Sequence, residues 1–236
     1  MPRIFPRPYS KDLERTEAPA SSLTYSRSFF LSNDKGNYFK LDEFNVSGAV
    51  YNQVLKLSKL EMPDWLIDYA FEIDEDDHES IEDKVEHLKN AFGEEFSLSP
   101  VGQFAYADMQ INKGGTLLDG KQIYGAFINK EHRIEGLGML VYDLILSLYG
   151  CLISDDCQSI AGCTFWAERL SMEYEVYTYN TVEQVIIEQF VAKDHGYVCT
   201  FTPWSTQELD FKSISKLEPI PTTTDDRTHI VLFTEG

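Results

Sequence analysis

The spacing of hydrophobic residues predicts a strand and two helices in the first part of the chain. Polar and apolar residues alternate over residues 38–44, which is typical of a half-buried strand. Over residues 49–60 the apolar residues recur three or four positions apart, which predicts a helix. Pro63 suits the first turn of a second helix, whose apolar positions continue to Tyr69.

A strongly acidic helix is predicted next. Residues 72–95 contain eleven acids against two lysines, which is −9 of the formal charge of −19. Within this segment four apolar residues recur at helical spacing, and they are Ile81, Val85, Leu88 and Phe92. The segment therefore predicts an amphipathic helix with an acidic outer face, and the acids near its start suit the helix dipole.

Strand and helix patterns alternate in the remainder. Residues 101–111 and 121–129 predict two strands, and Gly114-Gly115 and Asp119-Gly120 between them offer hairpin-turn chemistry. The later segments predict helices over about 136–149 and 160–170 and strands over 151–154, 174–179, 197–201 and 229–234, while 183–192 fits either a helix or a strand. This order predicts a mixed α/β (α+β) fold with a central mixed sheet flanked by helices.

The domain organisation follows from the composition. Residues 1–32 hold four prolines and five basic residues against three acids, which predicts an extended, partly disordered basic arm. Residues 33–236 are expected to form a single domain with a C-terminal extension over 180–236. The arm's alternative interpretation is a solvated terminus without a function.

Charge and cysteine usage limit the class of protein. With 236 residues, 43% of them hydrophobic, the chain can bury a core, and its charge of −19 repels nucleic-acid backbones and anionic membranes. Four cysteines are too few for a disulfide scaffold, and no secretory leader pattern opens the chain. We therefore expect a cytoplasmic protein that binds neither nucleic acid nor membranes.

Three other patterns give no site. Residues 136–153 carry a single charge, Asp143, but a break at Gly150 favours a buried helix and strand over a membrane span. Asp74, Asp76 and His78 alternate like the start of a calcium loop, yet the required glycine is missing. The cysteine spacing does not match a zinc site, since Cys151, Cys157 and Cys163 recur six positions apart and Cys199 is remote. We expect Cys151 and Cys163 to be buried as small hydrophobic residues. No metal site is predicted.

One motif suggests a ligand. An Arg-x-x-Gly-x-Gly sequence stands where the strand 121–129 passes into the helix from about 136, and its defining residues are Arg133, Gly136 and Gly138. Glycines permit close backbone approach, and the first helical turn presents N–H groups outward. This junction predicts a site for a pyrophosphate.

The junction resembles the acetyl-CoA pyrophosphate loop of the GNAT superfamily of N-acetyltransferases, over residues 98–179. The resemblance implies a GNAT-like domain that holds acetyl-CoA or another acyl-CoA, with the phosphates on the loop and the pantetheine arm beside strand 151–154. The implied cofactor-binding residues are His132, Arg133, Glu135, Gly136, Leu137, Gly138 and Ser159. Ser159 and Trp166 fall nearest the places where the family has an asparagine and an acidic tyrosine.

Candidate catalytic residues follow the predicted strand 151–154. Asp155 and Asp156 are placed to bind an ammonium group or to relay its proton, or else to cap the next helix ahead of Ser159. Tyr142 and Tyr149 are candidate acids, or else core residues of their helix.

Two functional hypotheses result. The first is an acyl-CoA-binding GNAT-like protein, an N-acyltransferase whose acceptor is a cationic amine such as a polyamine, a basic peptide or an aminoglycoside. The alternative is a noncatalytic acidic interaction protein that uses residues 72–95 to occupy the basic surface of a partner protein, as an inhibitor or nucleic-acid mimic.

Overall fold

A computed structural model describes residues 3–5, 22–74, 80–93, 95–193 and 196–236. The strands in these ranges are β1 (Arg3–Phe5), β2 (Leu23–Ser32), β3 (Tyr38–Val46), β4 (Gln53–Glu61), β5 (Ser97–Lys113), β6 (Thr116–Ile128), β7 (Cys151–Ile153), β8 (Cys157–Ser159), β9 (Val176–Asn180), β10 (Val185–Lys193), β11 (Gly196–Val198), β12 (Trp204–Ser205), β13 (Thr222–Thr223) and β14 (Ile230–Glu235). The α-helices are α1 (Asp64–Asp74), α2 (Ile81–Phe92), α3 (Leu137–Tyr149), α4 (Ile160–Phe165), α5 (Ser171–Glu173) and α6 (Phe211–Ile214). The fold is mixed α/β, as the order of patterns predicted, and its large sheet is mostly antiparallel.

The chain forms two compact units. We call residues 17–105 and 126–140 the middle unit, and residues 1–16, 106–125 and 141–236 the terminal unit. Strands β5 and β6 and helix α3 each contribute residues to both units. The boundary between an arm at 1–32 and a domain from 33 stays a prediction.

The middle unit begins with an antiparallel meander of β2, β3 and β4. The last ten residues of the predicted arm form β2, which pairs with β3 along its length, so that part of the arm is a sheet strand. Residues 6–21 of the arm lie outside the described residues.

The helix predicted over residues 49–60 is wrong, because Gln53–Glu61 is strand β4. Its buried residues Leu55 and Leu57 are two positions apart, and Leu57 lies opposite Leu41 of β3. Apolar side chains three residues apart fit a helix, but this segment also has apolar side chains two residues apart, which fit a strand. Pairing with β3 selects the strand.

Helices α1 and α2 cover this meander. Their side chains meet β3 and β4 in one buried cluster, which is Tyr38, Leu60, Leu66, Ala70, Val85 and Leu88. Helix α2 begins at its N-cap Ser80, whose hydroxyl accepts a hydrogen bond from the Asp83 N–H at 3.1 Å. It ends at Gly93, where φ is +80°. The amphipathic helix predicted within 72–95 is confirmed over Ile81–Phe92, whereas residues 72–74 belong to α1. The Asp74, Asp76 and His78 pattern falls mostly outside the described residues.

The predicted hairpin is confirmed, with longer strands. Strands β5 and β6 turn at Gly114-Gly115, and both glycines have positive φ. Asp119-Gly120, the second predicted turn, lies inside β6 instead. A Cβ on Gly120 would stand 2.8 Å from the Cys151 carbonyl oxygen, so this glycine permits close approach of strand β7.

The terminal unit contains its own run of paired strands. Strand β6 pairs in parallel with β7, and β7, β14, β9, β10 and β11 follow with antiparallel pairings. Residues 183–192, which the sequence left open, contribute to strand β10. Ile153, Tyr179 and Phe233 belong to the buried cluster of this sheet.

A second, small sheet is parallel and has the order β13-β12-β1-β8. The predicted helix 160–170 consists of α4 and a π-helical segment Trp166–Leu170, and α5 continues it to Glu173. Cys151 and Cys163 are buried, as predicted, and all four cysteines are free thiols. Across the described part of the chain, no helix combines the length and apolar character needed to cross a membrane.

Candidate functional site

The strand-to-helix junction has the predicted order of elements, with a short helix inserted. Strand β6 ends at Ile128, a 3-10 helix spans Lys130–Glu135, and α3 begins at Leu137. Gly136 joins the two helices with φ +73°. The Gly136 carbonyl oxygen accepts hydrogen bonds from the Met139 N–H at 3.0 Å and from the Leu140 N–H at 3.4 Å, so the Leu137 and Gly138 N–H groups precede the helical ladder.

Two side chains of the 3-10 helix lie close together, and a third binds the end of the strand. Arg133 Nε donates to the Ile128 carbonyl oxygen at 2.9 Å. His132 Nδ1 lies 3.4 Å from Glu135 Oε2, and both side chains are largely buried. Neither of these two atoms makes a hydrogen bond. Leu137 is buried and anchors the start of α3.

A second group of predicted residues lies after β7, in the terminal unit. Asp155 is 8% exposed, and its Oδ1 accepts a hydrogen bond from the Cys157 N–H at 3.3 Å. Asp156 is exposed. Tyr142 is buried against Phe165, with the two rings perpendicular at a centroid distance of 5.2 Å. Burial and the Asp155 carboxylate raise the pKa of Tyr142 well above its usual range, so its hydroxyl keeps its proton.

Tyr124 joins this group, although the sequence analysis did not select it. Burial and the carboxylates of Asp156 and Asp155 raise its pKa. The parallel register places Gln122 opposite Ile153, the last residue of β7, and Tyr124 and Asp155 each come two residues after that pair. Only the strand register could have identified this residue, since nothing in its local sequence marks it.

Ser159 has a structural role. Its hydroxyl accepts a hydrogen bond from the Gly162 N–H at 3.1 Å and caps α4. The cap of this helix is therefore Ser159, while Asp155 caps the turn before β8. Trp166 is buried at the start of the π-helical segment.

The predicted residues thus form two groups. His132, Arg133, Glu135, Gly136, Leu137 and Gly138 share the middle unit, and Tyr142, Asp155, Asp156 and Ser159 share the terminal unit. Among the described residues, no cluster of His, Cys, Asp and Glu has the arrangement of a metal site. Comparisons with protein-family models, curated proteins and solved structures find no match to this chain.

Proposed function

We propose that the protein binds an acyl-CoA and transfers the acyl group to an amine of a cationic acceptor. The observation that carries this proposal is the order of elements in the chain, in which β6 is followed by a glycine loop, helix α3 and β7, and β7 pairs in parallel with β6. A strand, a glycine loop, a long helix and a further strand are the order that the GNAT resemblance implies. The enzymatic activity is part of the same proposal.

The loop 130–138 is the proposed phosphate site. Gly136 is exposed, and a Cβ there would meet no atom within 4 Å, so the surface above it is open to a ligand. The N–H groups of Leu137 and Gly138 supply donors at the positive end of the α3 dipole. Glu135 adds a negative charge to this loop, and its Oε2 lies 3.4 Å from His132 Nδ1.

The acceptor is proposed to bind at the carboxylates that follow β7. The pairing of β6 with β7 ends at Gln122 and Ile153, and the next residues on that side include Asp155 and Asp156. A carboxylate attracts an ammonium ion and accepts one of its protons through water, which leaves a nucleophilic amine. Bound acyl-CoA supplies a thioester, which the amine converts to an amide as the CoA thiol is released.

Ligand-induced thermal stabilisation tests the cofactor. Acetyl-CoA at 100 times its dissociation constant is expected to add about 2.7 kcal/mol to the free energy of unfolding and to raise the melting temperature. ATP at equal concentration is the control for nonspecific effects of phosphate. If acetyl-CoA, longer acyl-CoAs and free CoA all leave the melting curve unchanged, the cofactor assignment is wrong.

Thiol release tests the transfer. With a polyamine as acceptor, Asp155→Asn is expected to lower the rate of CoA release at least tenfold while preserving the acetyl-CoA thermal shift, because the carboxylate acts on the amine. Asp156→Asn removes the same charge from the exposed neighbouring residue and is therefore the variant matched to Asp155→Asn. Equal rates in the parent and in both variants would remove the carboxylates from the proposed mechanism.

A noncatalytic interaction protein is the second candidate, and α2 is the observation that favours it. Glu82 and Glu86 are exposed on this helix, whereas Val85 and Leu88 are buried. Such a face offers charge complementarity to a basic protein surface.

A further inference from the structure

Helices α1 and α2 meet through aromatic side chains that reach the surface of the middle unit. Near the start of α1, the indole of Trp65 lies beside Phe92 at the end of α2, with ring centroids 6.5 Å apart. Phe92 in turn stacks on Phe96, with centroids 5.5 Å apart and an angle of 15° between the ring planes. We call these three residues the aromatic row.

Trp65 is the exposed member of the aromatic row. Phe92 and Phe96 are partly buried against the core cluster of the middle unit, whereas Trp65 is 55% exposed. Tryptophan is a highly buried residue on average, and exposed tryptophans are enriched among the residues that dominate binding to partners. The contact with Phe92 orients the indole before any partner arrives, which lowers the entropic cost of binding to it.

Uncompensated carboxylates flank the indole. Asp64 directly precedes Trp65, and Asp68 follows it by three residues and so lies on the same side of α1. Both aspartates are exposed, and neither side chain forms a hydrogen bond or an ion pair with another residue that the structure describes. Lys89 of α2 is already paired with Glu95, at 2.7 Å between Nζ and Oε1. The charge beside the indole is therefore available to a cation from outside the chain.

An aromatic face beside a free carboxylate selects one kind of cation. A guanidinium group is planar, so it stacks on an indole and at the same time donates two N–H groups to a carboxylate. The ammonium group of lysine is a compact and more strongly hydrated charge, and it offers no flat face. Asp64 also suits the positive end of the α1 dipole, whereas Asp68 lies in the second turn, beyond the reach of that effect.

We propose that the aromatic row is a docking surface for a basic peptide segment of a partner protein, with an arginine stacked on Trp65 and paired with Asp68. The net charge of −19 attracts such a segment, and the row supplies the specific contacts. This proposal does not depend on acyl transfer, because the row shares no residue with the loop 130–138 or with the carboxylates after β7. It also differs from the second candidate function, which uses the outer face of α2.

Two peptides of equal charge test the choice of arginine. The probe is a fluorescein-labelled peptide of four Gly-Ser-Arg repeats, and a peptide of four Gly-Ser-Lys repeats is its control. Polarisation measures binding to the full-length protein at physiological salt, where attraction between distant exposed charges is screened. We expect the arginine peptide to bind at least fivefold more tightly than the lysine peptide. Equal affinities would overturn the proposal.

Variants of the row test the residues. Trp65→Ala is expected to bind the arginine peptide at least tenfold more weakly than the parent, and Asp68→Asn at least threefold more weakly. Glu183→Gln removes the same charge from an exposed position of the terminal unit and is expected to keep the parental affinity. Circular dichroism establishes that the variants are folded. Parental affinity in Trp65→Ala, or an Asp68→Asn protein that binds no more weakly than Glu183→Gln, would contradict the assignment.

Tryptophan fluorescence of the parent gives a readout that needs no variant to fold. Trp166 and Trp204 are buried, so acrylamide quenches mainly Trp65. Unlabelled arginine peptide at saturation is expected to protect Trp65 from acrylamide, and unchanged quenching would reject the docking surface. Sedimentation of the parent alone tests the other occupant, a second copy of this chain. A dimer that Trp65→Ala converts to a monomer would assign the row to that copy and overturn the proposal.

Discussion

Gly136 is the residue at which the proposed phosphate loop is most sensitive to substitution. Its φ is +73°, and a Cβ there would meet no neighbour within 4 Å, so the cost of a side chain comes from the backbone and not from crowding. We predict that Gly136→Val lowers the free energy of unfolding by about 1–2 kcal/mol and weakens acetyl-CoA binding at least tenfold. Asparagine tolerates this conformation, so Gly136→Asn is expected to fold normally and serves as the control.

Urea unfolding and the acetyl-CoA thermal shift measure the two effects of Gly136 separately. A Gly136→Val protein that is folded and binds acetyl-CoA like the parent would show that the loop has been wrongly assigned. Loss of binding in both variants would indicate that any side chain above the loop blocks the phosphates.

At the residue scale, the properties that the sequence predicted are those that depend on neighbouring residues in the sequence. The burial of Cys151 and Cys163 and the glycine at the helix start follow from local patterns. Tyr124 could not be predicted, because its proximity to Asp155 depends on the parallel register of β6 and β7. The hydroxyl of Ser159 was expected at a cofactor, and the helix cap it makes is the alternative that the same local pattern allows.

Strand β10 holds the segment after β11 through one carboxylate. Glu188 accepts hydrogen bonds from the Thr200 N–H at 3.0 Å, the Thr200 hydroxyl at 2.7 Å and the Phe201 N–H at 2.6 Å. Partial burial works to raise the pKa of Glu188, but these hydrogen bonds outweigh it and hold the pKa below its ordinary value. The folded state therefore binds this proton less tightly than the unfolded state does.

The resulting stabilisation is present above the unfolded pKa of about 4.3 and is lost as the pH falls through the lower folded pKa. We predict that Glu188→Gln melts at a lower temperature than the parent at pH 7, and that the difference shrinks below about pH 4. Glu183→Gln, an exposed position with the same change of charge, is the control and is expected to show a smaller difference. A difference that is constant from pH 7 to pH 3 would rule out this role for the carboxylate.

At the element scale, long segments were predictable and short ones were not. Helices α2 and α3 follow from apolar spacing sustained over three turns. Strands β8, β12 and β13 have two or three residues, too few to show a period, and their partners are remote in sequence. Strand β4 was misassigned because its apolar spacing fits both periods, and only its pairing with β3 separates them.

The net charge of −19 concerns the whole molecule, and it separates the two candidate functions. If the acidic face of α2 is simply solvated, it acts only through net charge. We then predict that the double variant Glu82→Lys/Glu86→Lys binds immobilised poly-lysine more weakly than the parent does. The control double variant Glu183→Lys/Glu208→Lys changes the net charge by the same amount and is expected to lose the same amount of binding. Both pairs are expected to keep the acetyl-CoA thermal shift. The four positions are all exposed.

Binding to basic proteins captured from a lysate, measured at low and at physiological salt, completes this comparison. Loss of the same partners only in the double variant of α2, together with a steep dependence of binding on salt, would favour the interaction protein over the acyltransferase.

For the whole molecule, the fold class was predictable from the order of elements. The division into two units was not, because it depends on which distant segments share a core.

The positions of β1 and β14 determine when the terminal unit can fold during synthesis. Strand β14 lies between β7 and β9, and β1 lies between β8 and β12. This unit therefore needs both Ile4 and Phe233, so its sheets cannot be completed before the ribosome has released the chain as far as β14. The middle unit requires no residue beyond 140 and can fold earlier. Until β14 arrives, strands β7 and β9 lack the partner that joins them, and this interval is when a nascent chain most needs protection by chaperones.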